Sequence, residues 1–376
     1  MFAIQCIVYL ISIFINVQGQ RMLNLVLGDN CNSTGATAWK CQHLKDCPQI
    51  GDFRSNRPSI CTFQGIDPII CCPPAPIRRN DDRALLVTNG NAAKNCEEYL
   101  GVICWLAVRE ARDVSTQKKV TPEIKYVMGG NDALPQVHRH MVLIGYGSAG
   151  AKSWQCGGSL ISEKWVLSAA HCASPTGQGP ARWARVGDLD ISSTNEDARP
   201  QEKIIVDRII HPNYKEPAVY HDIALFKLDS DILFNDWVAP ICLHTVNEIN
   251  APKATITGWG RLDFVGDISL KLQEVNITLV NGTECRRLYE NDVDSKIPQG
   301  INPNIMICAG EREGGKDACS GDSGGPMAIQ LASRCLKTQI GITSFGRDCG
   351  LPNTPGVYTR VSYYVPWIES IVWPTS

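Results

Sequence analysis

Three residues have side chains that together could cleave a peptide or ester bond: His171 in SAAHC, Asp222 in HDIALFKL and Ser323 in KDACSGDSGGP. A serine hydroxyl is a poor nucleophile until a positioned base removes its proton, and a neutral imidazole is the right base near pH 7. A carboxylate behind the imidazole fixes its tautomer and stabilises the imidazolium. Taken singly, His171 could be a core residue beside Cys172, and Asp222 could cap a turn. The order His, Asp, Ser with these flanking sequences predicts a hydrolase with a serine nucleophile.

The part of the chain that must position these residues consists of short β-rich runs broken by Gly, Pro and Asn. Examples are CGGSLISEKWVLSAA, EKIIVDRIIHP, DIALFKL, ATITGWG and QIGITSF. Many short strands with regular turn signals predict an all-β barrel or sandwich. The run YYVPWIESIV near the C-terminus predicts a helix, because Val365, Ile368 and Val372 share one face.

The start of the sequence and its cysteine content predict a secreted protein. Residues 2–15 are apolar but too short for a comfortable membrane span, and small residues follow them, so we expect a signal peptide at 1–19. Of 17 cysteines, Cys6 lies in that segment, which leaves 17 − 1 = 16. An even number at this density predicts a disulfide framework formed in an oxidising compartment.

Two further features define the organisation of the chain. Six cysteines crowd into residues 31–72, which contain few large apolar side chains, so three disulfides must stabilise this segment. The following residues 74–126 are proline-rich and then polar, which predicts an exposed linker. The net charge of −2 gives no basic field, so we expect no nucleic-acid partner. No stretch beyond the signal peptide could span a membrane.

From Val127 to the end, the chain resembles the chymotrypsin and trypsin family of serine proteases, because AAHC, DIAL, GWG and GDSGGP occur in that order. The resemblance implies two antiparallel six-stranded β-barrels with the active site between them, followed by a C-terminal helix. It also implies that His171 is the general base and acid, that Asp222 orients it and that Ser323 attacks the scissile carbonyl. The backbone N–H groups of Gly321 and Ser323 would form the oxyanion hole.

The same resemblance implies the specificity pocket. Its residues would be Asp317, Ala318, Ser344, Gly346 and Gly356. A carboxylate at the floor of a narrow pocket selects Arg or Lys, because leaving it unpaired is costly. Ala318 stands where some relatives carry a serine, which should favour Arg over Lys. Phe345 stands where Trp is commoner, a mild departure that could alter subsite packing.

The resemblance also implies a set of disulfides in this region. The expected pairs are Cys156–Cys172, Cys285–Cys308 and Cys319–Cys349. Cys242 would tie the catalytic domain to the preceding chain through Cys96 or Cys104, and we favour Cys96. Cys104 would then be left to pair with Cys335 by elimination.

The N-terminal six-cysteine segment, 30–73, resembles the clip domain of arthropod proteases, closest in type to the snake and persephone proteases. That resemblance implies the pairs Cys31–Cys71, Cys41–Cys61 and Cys47–Cys72. We therefore expect a signal peptide at 1–19, a clip domain at 30–73, a linker at 74–126 and a protease domain at 127–376.

The sequence KYVMGG at 125–130 predicts where the precursor is cut. In this family a new apolar N-terminus inserts, and its ammonium pairs with the aspartate beside the nucleophile, here Asp322. Val127 aligns with the first residue of that N-terminus, so the cut would fall after Tyr126 rather than after Lys125. The activating protease should therefore prefer an aromatic or other non-basic residue, as for the related clip proteases.

Two kinds of additional site are expected. Sequons at Asn32, Asn276 and Asn281 predict N-glycosylation on the secretory route. In the loop from Asp188 to Gln201, carboxylates could bind calcium as in some relatives; a solvated acidic loop is the favoured interpretation, so no cofactor is expected.

The expected function is a secreted zymogen of an endopeptidase that cleaves after Arg or Lys in an arthropod extracellular cascade, such as Toll or prophenoloxidase activation in haemolymph. Its partners would be downstream protease precursors, an upstream activator and serpin inhibitors. The alternatives are a venom protease and a catalytically inactive clip-domain cofactor, in which the nucleophilic serine would be replaced.

Overall fold

A computed structural model describes residues 25, 27–32, 39–43, 47, 59–64, 67–72, 90–110, 130–193, 197–261, 268–315, 321–331, 335–347 and 350–374. The chain forms two compact units, one containing residues 1–83 and 332–334 and the other containing 84–331 and 335–376. The expected signal peptide lies outside the described residues.

The small unit is a four-stranded antiparallel sheet with the strand order β1-β2-β4-β3. Its strands are β1 (Asn30–Asn32), β2 (Trp39–His43), β3 (Ile60–Gln64) and β4 (Asp67–Cys72). The disulfides Cys31–Cys71, Cys41–Cys61 and Cys47–Cys72 bridge it, in the pairing that the resemblance to clip domains implies. The buried residues of this sheet are mainly cysteines and isoleucines, so the covalent bridges compensate for a core of few apolar side chains.

The first half of the large unit is a closed six-stranded antiparallel barrel with the order β10-β11-β8-β7-β6-β9. Its strands are β6 (Met141–Ser148), β7 (Ala151–Leu160), β8 (Trp165–Ser168), β9 (Trp183–Val186), β10 (Gln201–Ile210) and β11 (Ala224–Leu228). Alternate side chains of these strands point inward, and Val142, Ile144, Leu167 and Phe226 are fully buried.

The second half is also a six-stranded barrel, because β17 pairs with both β16 and β18 and so closes the path β16-β13-β14-β15-β18-β17. Its strands are β13 (Lys253–Gly258), β14 (Gln273–Val280), β15 (Met306–Ala309), β16 (Pro326–Ile329), β17 (Thr338–Phe345) and β18 (Gly356–Arg360). Two short strands flank it: β5 (Asn131–Asp132) pairs with β14, and β12 (Cys242–Leu243) pairs with β17. The prediction of an all-β fold with two barrels is confirmed.

The described residues contain three α-helices: α1 (Asn91–Glu110), α2 (Gly282–Leu288) and α3 (Val361–Val372). Helix α3 is the predicted C-terminal helix, and it buries Val361, Tyr364, Val365 and Ile368 at helical spacing. None of the helices in the described part of the chain is long and apolar enough to cross a bilayer.

Helix α1 corrects the expectation of an exposed linker for part of 74–126, because Asn91–Glu110 is a helix that belongs to the large unit. Cys96 and Ile103 are buried, and Cys96 forms a disulfide with Cys242. At the start of the helix, the Ala92 N–H donates to the Glu369 carboxylate over 2.6 Å, which satisfies a helix-terminal donor with a favourable charge. The run Cys96, Tyr99, Leu100, Ile103 has the period of an amphipathic helix, a signal that could have revealed it.

Candidate active site

His171 and Asp222 form a tightly hydrogen-bonded pair. The imidazole Nδ1 and Asp222 Oδ2 lie 2.8 Å apart, and the backbone N–H of His171 donates to Asp222 Oδ1 over 3.0 Å. Asp222 is fully buried, whereas the His171 side chain keeps 29% of its surface exposed. With Nδ1–H directed at the carboxylate, the other nitrogen, Nε2, carries the lone pair that can accept a proton.

Strand pairing brings these two residues together. His171 lies in a short 3₁₀ helix, Ala170–Cys172, just after β8, and Asp222 lies just before β11. The antiparallel register places Ser168 at the end of β8 opposite Ala224 at the start of β11. The end of one strand and the start of the other therefore meet at one rim of the first barrel, although the two residues are 51 positions apart.

The second barrel completes the surroundings of Asp222. The Ser344 hydroxyl donates to Asp222 Oδ2 over 2.5 Å, and the Thr359 hydroxyl donates to the Asp222 backbone carbonyl over 2.8 Å. The buried carboxylate thus accepts hydrogen bonds from the His171 backbone, the imidazole and Ser344. Sequence reasoning assigned Ser344 only to the substrate pocket; no local signal marks its contact with a residue 122 positions away.

These contacts shift the pKa values of the pair in opposite directions. Burial alone would lower the pKa of His171, but the charge and hydrogen bond of Asp222 outweigh it and raise that pKa above 6.5. Burial alone would raise the pKa of Asp222, but His171 and the Ser344 hydroxyl hold it below its ordinary value. The pair therefore stabilises an imidazolium beside a carboxylate, which is the charge state that proton uptake at Nε2 would create.

Ser323 is half-buried on a tight turn that is tied to both barrels. The Gly325 N–H donates to the backbone carbonyl of Asp322 over 2.9 Å, which closes the turn. The Gly157 N–H in β7 donates to the Ser323 carbonyl over 2.8 Å. Gly321 has φ +103°, and a Cβ there would lie 2.9 Å from the Gly260 backbone, so glycine is required. This conformation sets the direction of the backbone N–H groups beside the serine.

The residues expected at the specificity pocket are only partly described. Gly346 follows β17 and Gly356 begins β18, and a Cβ on Gly346 would lie 3.7 Å from the Gly356 Cα. The two glycines therefore face each other across a narrow gap that larger side chains would close. Asp317 and Ala318 lie outside the described residues.

Asp322 is buried beside the nucleophile, and its Oδ1 accepts a hydrogen bond from the Gly260 N–H over 2.9 Å. A Cβ on Gly258 or Gly260 would approach the Asp322 carboxylate to 2.0 or 2.5 Å, so GWG gives the carboxylate room to occupy this position. Lys125, Tyr126 and Val127, the expected activation residues, lie outside the described part of the chain.

Comparison with known proteins agrees with this geometry. The family model of trypsin matches residues 127–368. The chain belongs to the trypsin family. It is a serine endopeptidase.

Individual relatives extend the similarity beyond the protease domain. Serine protease snk of Drosophila melanogaster is 36% identical over 342 residues, which cover 89% of this chain and 74% of the relative. The proclotting enzyme of Tachypleus tridentatus is 31% identical over 352 residues, covering 90% of this chain and 88% of the relative. The venom serine protease Bi-VSP of Bombus ignitus is 31% identical over 362 residues, covering 92% of each chain.

Disulfides brace the site of this trypsin-family protease. Cys156–Cys172 joins β7 to the His171 segment, and Cys285–Cys308 joins α2 to β15. Cys335 is also disulfide-bonded. Cys319, Cys349 and the Cys104 side chain lie outside what the structure describes.

In the described part of the chain, the cysteines of the two possible metal-binding clusters are already engaged in disulfides. The Sγ atoms of Cys156 and Cys172 lie close to His171, but their disulfide leaves no thiolate ligand. In the acidic loop, the Arg185 guanidinium donates to Asp188 over 3.1 Å and also binds Glu202. The guanidinium therefore pairs with Asp188, one carboxylate of the loop in which calcium was considered, and the expectation of no cofactor stays a prediction. Glu196 lies outside the described residues.

The sequons differ in their setting. Asn276 is exposed on β14 and accepts a hydrogen bond from Thr255, while Asn281 is exposed and caps α2 through the Thr283 N–H. The side chain of Asn32 is not described. Both described asparagines keep their amide nitrogen on the surface of the second barrel, where a glycan would meet solvent.

Proposed function

We propose that this protease is a secreted zymogen that, once cut, cleaves protein substrates after Arg or Lys in an arthropod extracellular cascade. The observation that carries the catalytic part is the buried carboxylate of Asp222, which accepts hydrogen bonds from the His171 backbone N–H, from His171 Nδ1 and from the Ser344 hydroxyl. The disulfide content supports passage through an oxidising compartment and hence secretion.

In the proposed mechanism, the Ser323 hydroxyl attacks the scissile carbonyl while His171 Nε2 accepts its proton. His171 then returns that proton to the leaving amine, and water repeats the sequence to release the acyl group. Asp222 holds the imidazole and stabilises the imidazolium. The backbone N–H groups of Gly321 and Ser323 stabilise the oxyanion, and each such donor contributes roughly 3–4 kcal/mol to the transition state.

Cleavage after a basic residue rests on the pocket. Gly346 and Gly356 put no side chain into the gap between them, and the carboxylate of Asp317 would pair with a guanidinium or ammonium at the floor of the pocket. Ala318 offers no hydroxyl to an ammonium, so Arg is preferred to Lys. Comparing kcat/KM for arginyl and lysyl anilides tests this; a preference for aromatic anilides would contradict it.

Activation is proposed to follow cleavage after Tyr126, so that the Val127 ammonium pairs with Asp322. The pairing of β5 with β14 fixes Asn131, so only residues 127–130 lie between the new N-terminus and this fixed point. The Val127 ammonium can therefore reach at most about 13–14 Å from Asn131. A cut after Lys125 would add Tyr126, lengthen the free segment by about 3.5 Å and put a phenol ring at its end. A buried carboxylate left without its partner costs about 3–5 kcal/mol. The position of the cut, after Tyr126 or after Lys125, therefore decides whether the enzyme becomes active.

The test uses the full-length precursor treated with a trypsin-like or a chymotrypsin-like enzyme, followed by N-terminal sequencing and assay on an arginyl ester. We expect activity only from chains that begin at Val127. A Tyr126→Arg precursor should become activatable by the trypsin-like enzyme, whereas the matched Tyr126→Ala precursor should not. Activity in chains that begin at Tyr126 would overturn the proposal.

The catalytic assignment has its own test. An organophosphate should label Ser323 after activation far faster than before it, and a Ser323→Ala chain should be neither labelled nor active. This separates the enzyme from a catalytically inactive clip-domain cofactor, which the intact Ser323 already disfavours. Equal labelling before and after cleavage would contradict the zymogen.

The domain limits that we propose are a signal peptide at 1–19, a clip domain at 30–73, a linker with helix α1 at 74–126 and the protease at 127–376. The cascade role in haemolymph is supported by the similarity to serine protease snk and to a proclotting enzyme. Partners would be protease precursors, an activating protease and serpins, with no nucleic acid, membrane or cofactor. The similarity to a venom serine protease supports a venom role as the alternative, which expression in venom gland or in blood cells would distinguish.

A further inference from the structure

The residue before Asp222 has an unusual backbone conformation. His221 has φ +58°, in the left-handed region that side-chain-bearing residues seldom adopt, although His, Asn and Asp tolerate it better than most. The Ile223 N–H donates to the His221 carbonyl over 2.8 Å, which closes a tight turn centred on Asp222. The direction in which Asp222 leaves the main chain therefore depends on the conformation of His221.

Two contacts of the His221 side chain hold this conformation. Its Nδ1 lies 3.0 Å from the hydroxyl of Tyr364 in α3. Its ring stacks on that of His211, with ring centres 5.2 Å apart and planes inclined by 11°. Tyr364 is 1% exposed, so its hydroxyl has a fixed position.

His211 is itself firmly placed. Tyr364 and Trp367 contact its ring edge-to-face at 5.1 and 5.0 Å, and its Nδ1 accepts a hydrogen bond from the Asn213 N–H. The His211 N–H donates to the Ile223 carbonyl over 3.1 Å, so the same residue supports both sides of the turn. His211, the turn at Asp222 and helix α3 thus form one contact network behind the catalytic pair.

We propose that His221 is a positioning residue for Asp222: its contacts with Tyr364 and His211 hold the left-handed turn that aims the carboxylate at His171. The inference rests on the proposed role of Asp222. It predicts that deleting the His221 side chain lets the turn relax, moves the carboxylate and weakens both hydrogen bonds to His171. The reaction is unchanged in kind but slower, because the imidazole loses its fixed tautomer and orientation.

The test compares activated His221→Ala, His221→Asn and wild-type enzymes, each quantified by active-site titration so that misfolded protein does not count. We expect His221→Ala to lower kcat/KM by roughly 10- to 100-fold, mainly through kcat, since a small misplacement of a catalytic group has effects of that order. Asn tolerates the left-handed region and can hydrogen-bond Tyr364, so His221→Asn should retain activity within about threefold of wild type.

The pH profile separates positioning from a merely structural role. Asp222 raises the pKa of His171, with a smaller contribution from Glu216, so a displaced Asp222 carboxylate shifts the acid limb of kcat/KM to lower pH. Tyr364→Phe should shift the limb the same way, and the matched control Tyr363→Phe, which removes a hydroxyl from a half-exposed neighbour, should not.

A His221→Ala enzyme with wild-type kcat/KM, or with reduced kcat/KM and an unmoved acid limb, would overturn the inference. Ser323→Ala is assayed in parallel: if that chain kept its activity, the proposed catalytic function would fail as well, whereas an inactive Ser323→Ala beside unaffected His221 variants defeats the positioning role alone.

Discussion

Replacing Ser344 by alanine tests whether the second barrel contributes to the catalytic pair. The hydroxyl donates to Asp222 Oδ2 over 2.5 Å, and that carboxylate is fully buried. A hydrogen bond to a buried charged group contributes about 1.5–3 kcal/mol. Because the hydroxyl fixes the orientation of the carboxylate that positions the imidazole, losing a contact of this size should lower kcat/KM by about 10- to 150-fold in Ser344→Ala.

The direction of the pH shift follows from the same contact. Burial raises the pKa of Asp222, but the contacts with His171 and, to a smaller extent, with the Ser344 hydroxyl outweigh burial and hold that pKa below its ordinary value. Without it, Asp222 is a stronger base and binds the imidazolium more tightly, so the pKa of His171 rises further. The acid limb of kcat/KM should therefore move to higher pH, opposite to the shift expected for His221→Ala.

The assay is hydrolysis of an arginyl ester by the activated enzyme between pH 5 and 9, with enzyme concentration fixed by active-site titration. Ser370→Ala is the matched control, because Ser370 is exposed on α3 and its hydroxyl donates to the Trp367 carbonyl rather than to the catalytic pair. Unchanged kcat/KM in Ser344→Ala, or an acid limb that moves to lower pH, would refute the reasoning.

Three further outcomes follow from the same structure. In the wild-type enzyme, the raised pKa of His171 should make kcat/KM fall on acidification with a midpoint above 6.5, because only the neutral imidazole accepts the serine proton; a midpoint below 6.5 would contradict this. Asp222→Asn should lower kcat about 10⁴-fold while circular dichroism stays native, since the amide favours the wrong tautomer; a loss below tenfold would count against the pair. The Cys96–Cys242 disulfide closes a separation of 146 residues, so replacing both cysteines by serine should reduce the free energy of unfolding of the precursor by up to about 5 kcal/mol, as urea denaturation would measure. After activation, the N-terminal chain should separate on a non-reducing gel only when Cys335 is replaced as well, because the expected Cys104–Cys335 disulfide also crosses the cut and Cys335 is disulfide-bonded; separation of the chains in the Cys96 and Cys242 double variant would contradict that second link.

The sequence by itself determined the class of fold and the chemistry. Short runs of alternating apolar and polar residues, separated by Gly, Pro and Asn, predict strands, because successive side chains of a strand point to opposite faces. The motifs around His171, Asp222 and Ser323 are local, since each residue needs particular neighbours to form its turn. The C-terminal helix was likewise predicted from the spacing of its apolar residues, and the structure has it at Val361–Val372.

The prediction of an exposed linker from local composition failed at helix α1. The composition of 74–126 predicts solvent exposure, yet Cys96 and Ile103 are buried within the large unit. A helix of 20 residues with a modest apolar face is marginal by itself, and its packing and disulfide to Cys242 stabilise it. Cys242 lies far along the chain from the helix. The sequence of the helix itself therefore gives only a weak signal, the spacing of its apolar residues.

Only the tertiary structure decided what supports the catalytic residues. Ser344 reaches Asp222 across 122 positions and Tyr364 reaches His221 across 143, while Arg185 pairs with Asp188 at the start of the loop in which calcium was considered. Residue types and short spacings encode strands, turns and reactive groups, because those depend on neighbouring dihedral angles. Hydrogen bonds between the two barrels depend on how the packed barrels meet, and that arrangement is fixed by burial of the whole core rather than by any short segment.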